Sequence, residues 1–284
     1  MSDAHFWIVV PFYNGMKYFE YNIRSLVDQT YANVKILVID DCSEAVQTRQ
    51  LKALLDQVND SRIEYVRNHK NQGLMRSLNH ALKYVDSKYF FILGQDDVVE
   101  KRHVESFHYF LKNMDVEESA GPSMVFCDAK YIRGLEPSNA LVRGKKISRF
   151  RKNMELKYFR LMYWNYVVST GILLNTDTLK SVGGFCTDYK NHGEWLTWIR
   201  LARVGKVKIN YGVNSWYRRH QENITNSMFS SQFYSTFRYY NHVAHYAYRV
   251  APGRFHKYYV FPLVLIRNLS LLFVKNIKLR VQSL

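Results

Sequence analysis

Two adjacent carboxylates, Asp96 and Asp97, close the stretch Gly94-Gln95-Asp96-Asp97, directly after five strand formers, Tyr89-Phe90-Phe91-Ile92-Leu93. Like charges this close at the edge of a buried strand repel one another unless a positive partner joins them. Carboxylate oxygens are hard ligands that suit magnesium or manganese. At the carboxyl end of a strand in an α/β sheet, such a metal points to a phosphate-bearing ligand. The plainer alternative is a turn whose acids cap a helix beginning near Val98.

The elements that must position this pair are legible in the same half of the chain. Val34–Ile39 is a second apolar strand and also ends in paired acids, Asp40-Asp41. Phe6–Val10 is a third and runs into Pro11-Phe12-Tyr13-Asn14, and Arg62–Val66 is a shorter fourth. Between them, apolar residues recur at helical spacing: Met16, Phe19, Ile23, Leu26 and Val27; Leu51, Leu54, Leu55 and Val58; Leu74, Leu78, Ala81, Leu82 and Val85. Alternating strands and helices call for parallel pairing through right-handed crossovers. Every polar cluster follows a strand, so the clusters converge on one rim of the sheet.

Taken together these segments resemble family 2 glycosyltransferases of the GT-A fold. The resemblance rests on Val9-Val10-Pro11-Phe12-Tyr13-Asn14, Ser25-Leu26-Val27-Asp28-Gln29-Thr30-Tyr31, Val38-Ile39-Asp40-Asp41-Cys42-Ser43, Asn71-Gln72-Gly73-Leu74 with Asn79, and Gln95-Asp96-Asp97. It continues in His192-Gly193-Glu194-Trp195 through Leu201 and in Tyr217-Arg218-Arg219-His220, covering roughly residues 5 to 225. It implies a mostly parallel central sheet flanked by helices, with a nucleotide-sugar-binding half (1–130) and an acceptor half (131–225), and residues 226–284, which the resemblance does not reach, read from their own pattern as a helical, basic C-terminal extension. It implies an inverting transfer of sugar from a nucleoside-diphosphate sugar, UDP-sugar foremost, to a hydroxyl of a surface glycan such as lipopolysaccharide, O-antigen or capsule.

Roles follow residue by residue from that resemblance. Pro11 and Tyr13 line the base pocket, and Asp41 accepts the imide N–H of uracil or thymine. Gly73 lets backbone approach the ligand. Asp96 lies near the ribose and the metal, Asp97 ligates Mn2+ or Mg2+, and His220 stands beside it. Arg219, or its neighbour Arg218, clamps phosphate. Glu194 is the base that takes the acceptor proton. Two departures stand out. Gly94 occupies the place of the usual first Asp of an Asp-x-Asp triplet, and Gly193-Glu194 replaces an acidic pair.

Charge and cysteine content bound the partners. The net charge is +16, carried by residues 130–160 and 231–284 at +8 each. Two concentrated basic surfaces suggest an anionic membrane or a phosphorylated, lipid-linked acceptor, and no nucleic-acid motif is present. The tail alternates apolar blocks with cations and has no 18-residue apolar run, which suits an interfacial helix or a homodimer contact better than a membrane span. Three cysteines without metal spacing suggest a reduced, cytoplasmic setting at the inner face of the membrane. Two other readings stand beside the enzyme. A non-catalytic nucleotide- or glycan-binding scaffold would not need Glu194, and a sugar-nucleotide pyrophosphorylase would need a glycine-rich loop where Pro11–Gly15 has one glycine.

Overall fold

The computed structural model describes residues 5–114, 121–132, 161, 165–188, 193–220, 241–246, 248–249, 258, 262 and 266. The chain divides into two compact units, Met1–Leu156 with Tyr166–His220, and Lys157–Asn165 with Gln221–Leu284. His192, the basic segment 143–152 and nearly all of the tail lie outside the described residues. Among the described residues no helix is long and apolar enough to cross a membrane.

The first unit is built on an eight-stranded sheet in the order β3-β2-β1-β4-β7-β6-β8-β5. Its strands are β1 (Phe6–Phe12), β2 (Val34–Asp40), β3 (Ile63–Arg67), β4 (Tyr89–Ile92), β5 (Val98–Val99), β6 (Met124–Ile132), β7 (Ile172–Asn175) and β8 (Val207–Arg218). The helices are α1 (Met16–Val27), α2 (Ala45–Val58), α3 (Leu74–Ala81), α4 (His103–Lys112), α5 (Thr176–Ser181) and α6 (Glu194–Val204). β1 pairs in parallel with β2 and β4, and β2 with β3. β7 then runs antiparallel to both β4 and β6, and β8 lies parallel to β6.

The apolar content of the strands explains their place. Phe6, Ile8, Val10 and Phe12 of β1 join Phe19, Ile23 and Leu26 of α1, Leu51 of α2 and Phe107 of α4 in one core cluster. The alternate residues Trp7 and Val9 are equally buried, so β1 is covered on both faces. β1, β2 and β3 step outward in one direction, and the chain then returns to place β4 on the other side of β1. That reversal opens a crevice between the carboxyl ends of β1 and β4, the place where open α/β sheets bind ligands.

Val98 does not start a helix. Val98 and Val99 pair antiparallel with Trp216 and Ser215 on β8, and the helix begins at His103. Two consecutive β-branched residues favour that pairing over helix. The turn carrying Asp96 and Asp97 is therefore held between two strands, β4 and β5.

Candidate active site

The site begins where β1 ends. Tyr13 is 47% exposed, with its ring on the rim of the crevice, and Pro11 is half-buried in register with Ile39. Gln95 reaches across from the β4 turn and grips the Tyr13 peptide unit twice. The Tyr13 N–H donates to Gln95 Oε1 at 2.8 Å, and Gln95 Nε2 donates to the Tyr13 carbonyl at 3.2 Å. Gly15 makes room for this, since any Cβ there would enter the Gln95 side chain.

The paired acids after β2 divide their labour. Asp40 is fully buried and accepts from the Ser43 N–H, the Thr48 and Tyr65 hydroxyls and Arg67 Nε. It is a structural hub. Asp41 Oδ1 accepts from Asn68 Nδ2 at 2.8 Å and the Gln72 N–H at 2.9 Å, and Oδ2 from the Gly73 N–H at 2.7 Å. Gly73 has φ +83, a conformation open to glycine, and its amide is turned toward Asp41. An ionised carboxylate offers about four acceptor positions, so Asp41 keeps capacity for one further donor.

Asp96 and Asp97 also face different ways. Asp97 is buried, with Oδ1 accepting the Arg218 N–H at 2.9 Å and Oδ2 the Thr170 hydroxyl at 2.7 Å. Burial pushes its carboxyl up to about 7, opposed by those two hydrogen bonds. Asp96 keeps part of its surface, and its Oδ2 lies 3.2 Å from His220 Nε2. The turn is tied down by Asn22, whose Nδ2 donates to the Gly94 and Asp97 carbonyls at 2.8 Å each. Gly94 suits the inward Asp97, because a Cβ there would stand 3.1 Å from Asp97 Oδ2.

The arginine at this turn is Arg218. Its Nε donates to the Asp96 carbonyl at 2.7 Å, and its guanidinium lies 4.8 Å from the Tyr18 ring centre. Arg219, expected on phosphate, instead lays its guanidinium 5.0 Å from the Tyr131 ring centre and is exposed. Successive residues on an extended chain point to opposite faces, so only one of the two can meet Asp96. His220, two residues beyond Arg218, returns to the Asp96 side.

Glu194 is the first residue of α6. Part of it reaches solvent, but its carboxyl is enclosed by protein. Burial pushes the carboxyl up to about 7, against a lowering hydrogen bond from Ser169. Gly193 allows the helix to start here, because any Cβ would run into the Cys186 carbonyl. The Cys186 N–H donates to Thr197 Oγ1 at 3.0 Å, and that hydroxyl donates to the Gly193 carbonyl at 2.8 Å. Asn79 of α3 clamps the neighbouring Phe185 peptide through Nδ2 to its carbonyl (2.9 Å) and Oδ1 from its N–H (2.8 Å).

Ser169 and Thr170 are consecutive, and they link the two ends of the site. One bonds Glu194 and the other Asp97. Gly171 follows with φ +69. Its N–H donates to the Ile92 carbonyl at 2.9 Å, and its own carbonyl is 2.9 Å from His103 Nε2. Sequence reading missed Ser169, Thr170, Asn22 and Asn68. The signal was a pair of hydroxyl residues before Gly171 and the apolar run Ile172-Leu173-Leu174, too short to stand out.

The residues fit a divalent cation at the Asp96–His220 pair, a carboxylate and an imidazole 3.2 Å apart on partly open side chains. Among the described residues no group of three or more acidic, histidine or cysteine side chains is gathered. A cation there would complete its shell from phosphate and water, as magnesium commonly does.

Comparison with known proteins identifies the family and the fold. The family model described as Glycosyl transferase family 2 matches residues 7–163. An uncharacterized glycosyltransferase of Rickettsia typhi is 24% identical over 78% of the chain, and the match spans 65% of that relative's length. The Escherichia coli UDP-Glc:alpha-D-GlcNAc-diphosphoundecaprenol beta-1,3-glucosyltransferase WfgD is 35% identical over 34% of the chain and 37% of its own. Among solved structures, Staphylococcus aureus TarS 1-349 in complex with UDP-GlcNAc superposes with a TM-score of 0.71 at 18% identity, over 94% of this chain and 73% of that one. A mannosyltransferase from Pyrobaculum calidifontis, in complex with GDP-Man and Mn2+, gives 0.61 at 14% identity, over 95% of this chain and 74% of that one.

Proposed function

The chain belongs to glycosyl transferase family 2, and from that premise we propose that it moves a sugar from a uridine-diphosphate sugar to a hydroxyl of a surface glycan, with inversion. The observation that carries this reading is the Ser169-Thr170 pair. It holds a carboxyl poised near neutrality and the Asp96-Asp97 turn at neighbouring positions of one backbone segment. A nucleotide recognised at the turn and a base at Glu194 are what a displacement at an anomeric carbon requires.

In this reading the Tyr13 ring stacks on the base, its backbone held by Gln95. Asp41 uses its remaining acceptor capacity for the imide N–H of uracil. Asp96 and His220 would hold Mn2+ or Mg2+, which when bound neutralises charge developing on the leaving phosphate without a proton transfer. Asp97 holds the turn in place through Arg218 and Thr170. Glu194, half ionised near pH 7, takes the proton from the attacking hydroxyl. A base is most effective when its pKa lies near the working pH. Ser169 orients the carboxyl that does so. The activity named for the Escherichia coli relative, transfer from UDP-Glc to a diphosphoundecaprenol-linked sugar, supports a UDP-sugar donor and a lipid-linked acceptor. The basic segments then suit an anionic membrane surface.

The test is a donor panel with and without manganese, together with Asp96→Asn and Asp97→Asn. An amide can serve both partners of Asp97, accepting from the Arg218 N–H and donating to Thr170. Asp97→Asn should therefore fold and keep a manganese-dependent gain in UDP affinity, and Asp96→Asn should lose that gain. The reverse pattern would return the metal to Asp97. Absence of transfer from any nucleotide sugar would favour a binding scaffold.

A further inference from the structure

We propose that His80 is a specificity-positioning residue, which sets the orientation of Asp41 through the Asn68 amide and thereby tunes discrimination among nucleobases. This rests on the reading of Asp41 as the acceptor for the base.

Asn68 is buried beneath Asp41. Its Nδ2 donates to Asp41 Oδ1 at 2.8 Å and to Ser77 Oγ at 2.9 Å, and its Oδ1 lies 2.6 Å from His80 Nδ1. These contacts determine one another. A carboxylate only accepts, so the amide nitrogen must face Asp41. The amide oxygen then faces His80, and His80 must carry its hydrogen on Nδ1. Burial, with Lys83 and His69 nearby, holds the His80 pKa below the ordinary histidine value. The lowered pKa favours the neutral ring, whose one hydrogen then sits on Nδ1.

An asparagine amide is nearly symmetric in shape. Rotated by half a turn, Asn68 would point oxygen at the Asp41 carboxylate, and Ser77 could still hydrogen-bond by donating instead of accepting. Ser77 thus does not choose between the two orientations. Asp41 does, by repelling the amide oxygen, and His80 adds to that preference by giving the oxygen its donor. Removing that donor leaves the buried Asn68 oxygen unsatisfied, which loosens the amide and narrows the gap to the rotated state. In the rotated state Asp41 loses a donor and faces a repulsive oxygen 2.8 Å away. It would be expected to swing from the place where it meets the imide. Uracil presents N3–H to such a carboxylate, while cytosine presents a bare N3. Any loosening of Asp41 should weaken uridine nucleotides selectively.

The experiment measures UDP and CDP binding by titration calorimetry for the full-length parent, His80→Ala, His80→Asn and Asp41→Asn, with melting temperatures as a folding control. Asparagine places an N–H where histidine has Nδ1, because both atoms are attached to Cγ. His80→Ala should bind UDP about tenfold more weakly with CDP nearly unmoved, and His80→Asn should recover most of the loss. Equal losses for UDP and CDP, or full UDP affinity in His80→Ala while Asp41→Asn is impaired, would overturn the inference. Unchanged UDP affinity in Asp41→Asn would refute the role of Asp41 itself, a distinct failure. If His80→Ala does not fold, His80→Asn against His80→Gln makes the same comparison, since the longer glutamine amide cannot occupy the Nδ1 position. Equal UDP affinity in those two would also overturn it.

Discussion

Replacing Glu194 with glutamine should abolish turnover and, at the same time, make the protein more stable, by an amount that grows as the pH rises from about 4.5 to about 7. Burial raises the carboxyl from 4.5 to about 7. The folded state therefore holds this proton more tightly than the unfolded chain does. The residue costs nothing below about pH 4.5, and the cost of ionising it in place grows until the pH passes 7. At about 1.4 kcal/mol per pKa unit the full shift corresponds to about 3 kcal/mol, and screening by solvent at a partly open residue reduces that to about 1–2 kcal/mol. Glutamine has the same size, keeps an oxygen for Ser169 and carries no charge. At pH 8 the variant should melt about 2–6 °C above the parent, and at pH 5 the two should nearly coincide. Its kcat should fall by about 100-fold or more with donor affinity within a few-fold. The parent's kcat should rise with pH through about 7 as Glu194 ionises. The assays are scanning calorimetry at both pH values and steady-state transfer. An equal melting shift at pH 5 and pH 8 would show that the carboxyl is not held protonated by burial. Retained turnover would show that it is not the base.

Two further substitutions probe the frame around the site. Gly193→Ala pushes a methyl group into the Cys186 carbonyl and should cost about 1–3 kcal/mol, read by denaturant titration, with kcat falling more than KM changes because the start of α6 carries Glu194. Unchanged stability would mean that the helix start can shift freely. Gln95→Ala removes two exposed hydrogen bonds to Tyr13 and should leave the melting temperature alone while weakening UDP about three- to tenfold. An effect on CDP of the same size is expected, since stacking does not read the base edge, and a uridine-only loss would refute the stacking role of Tyr13.

The rim of the sheet and the candidate residues on it were legible in the sequence because they depend on local order. An apolar strand places whatever follows it on the rim, so Tyr13, Asp41 and Asp96 were bound to converge once parallel pairing was inferred. Glu194 was legible for a similar reason, as an acid opening a strongly patterned helix. The sequence could not say which member of each acidic pair faces inward. That depends on partners distant along the chain. Asp40 is claimed by Tyr65 and Arg67 from β3, while Asp97 is claimed by Thr170 and Arg218, 73 and 121 residues away. The split between Arg218 and Arg219 likewise depends on the pairing of β8 with β6 and β5, which decides which face each residue presents. Gly94 and Gly193 read as departures from a pattern. Only the folded chain shows the Asp97 carboxylate and the Cys186 carbonyl standing where their side chains would have been. Sequence order determined which residues reach the rim, because strand direction is a local property. Tertiary structure decided which of them are free to act, because a buried carboxylate is held by whichever donors the rest of the chain brings to it.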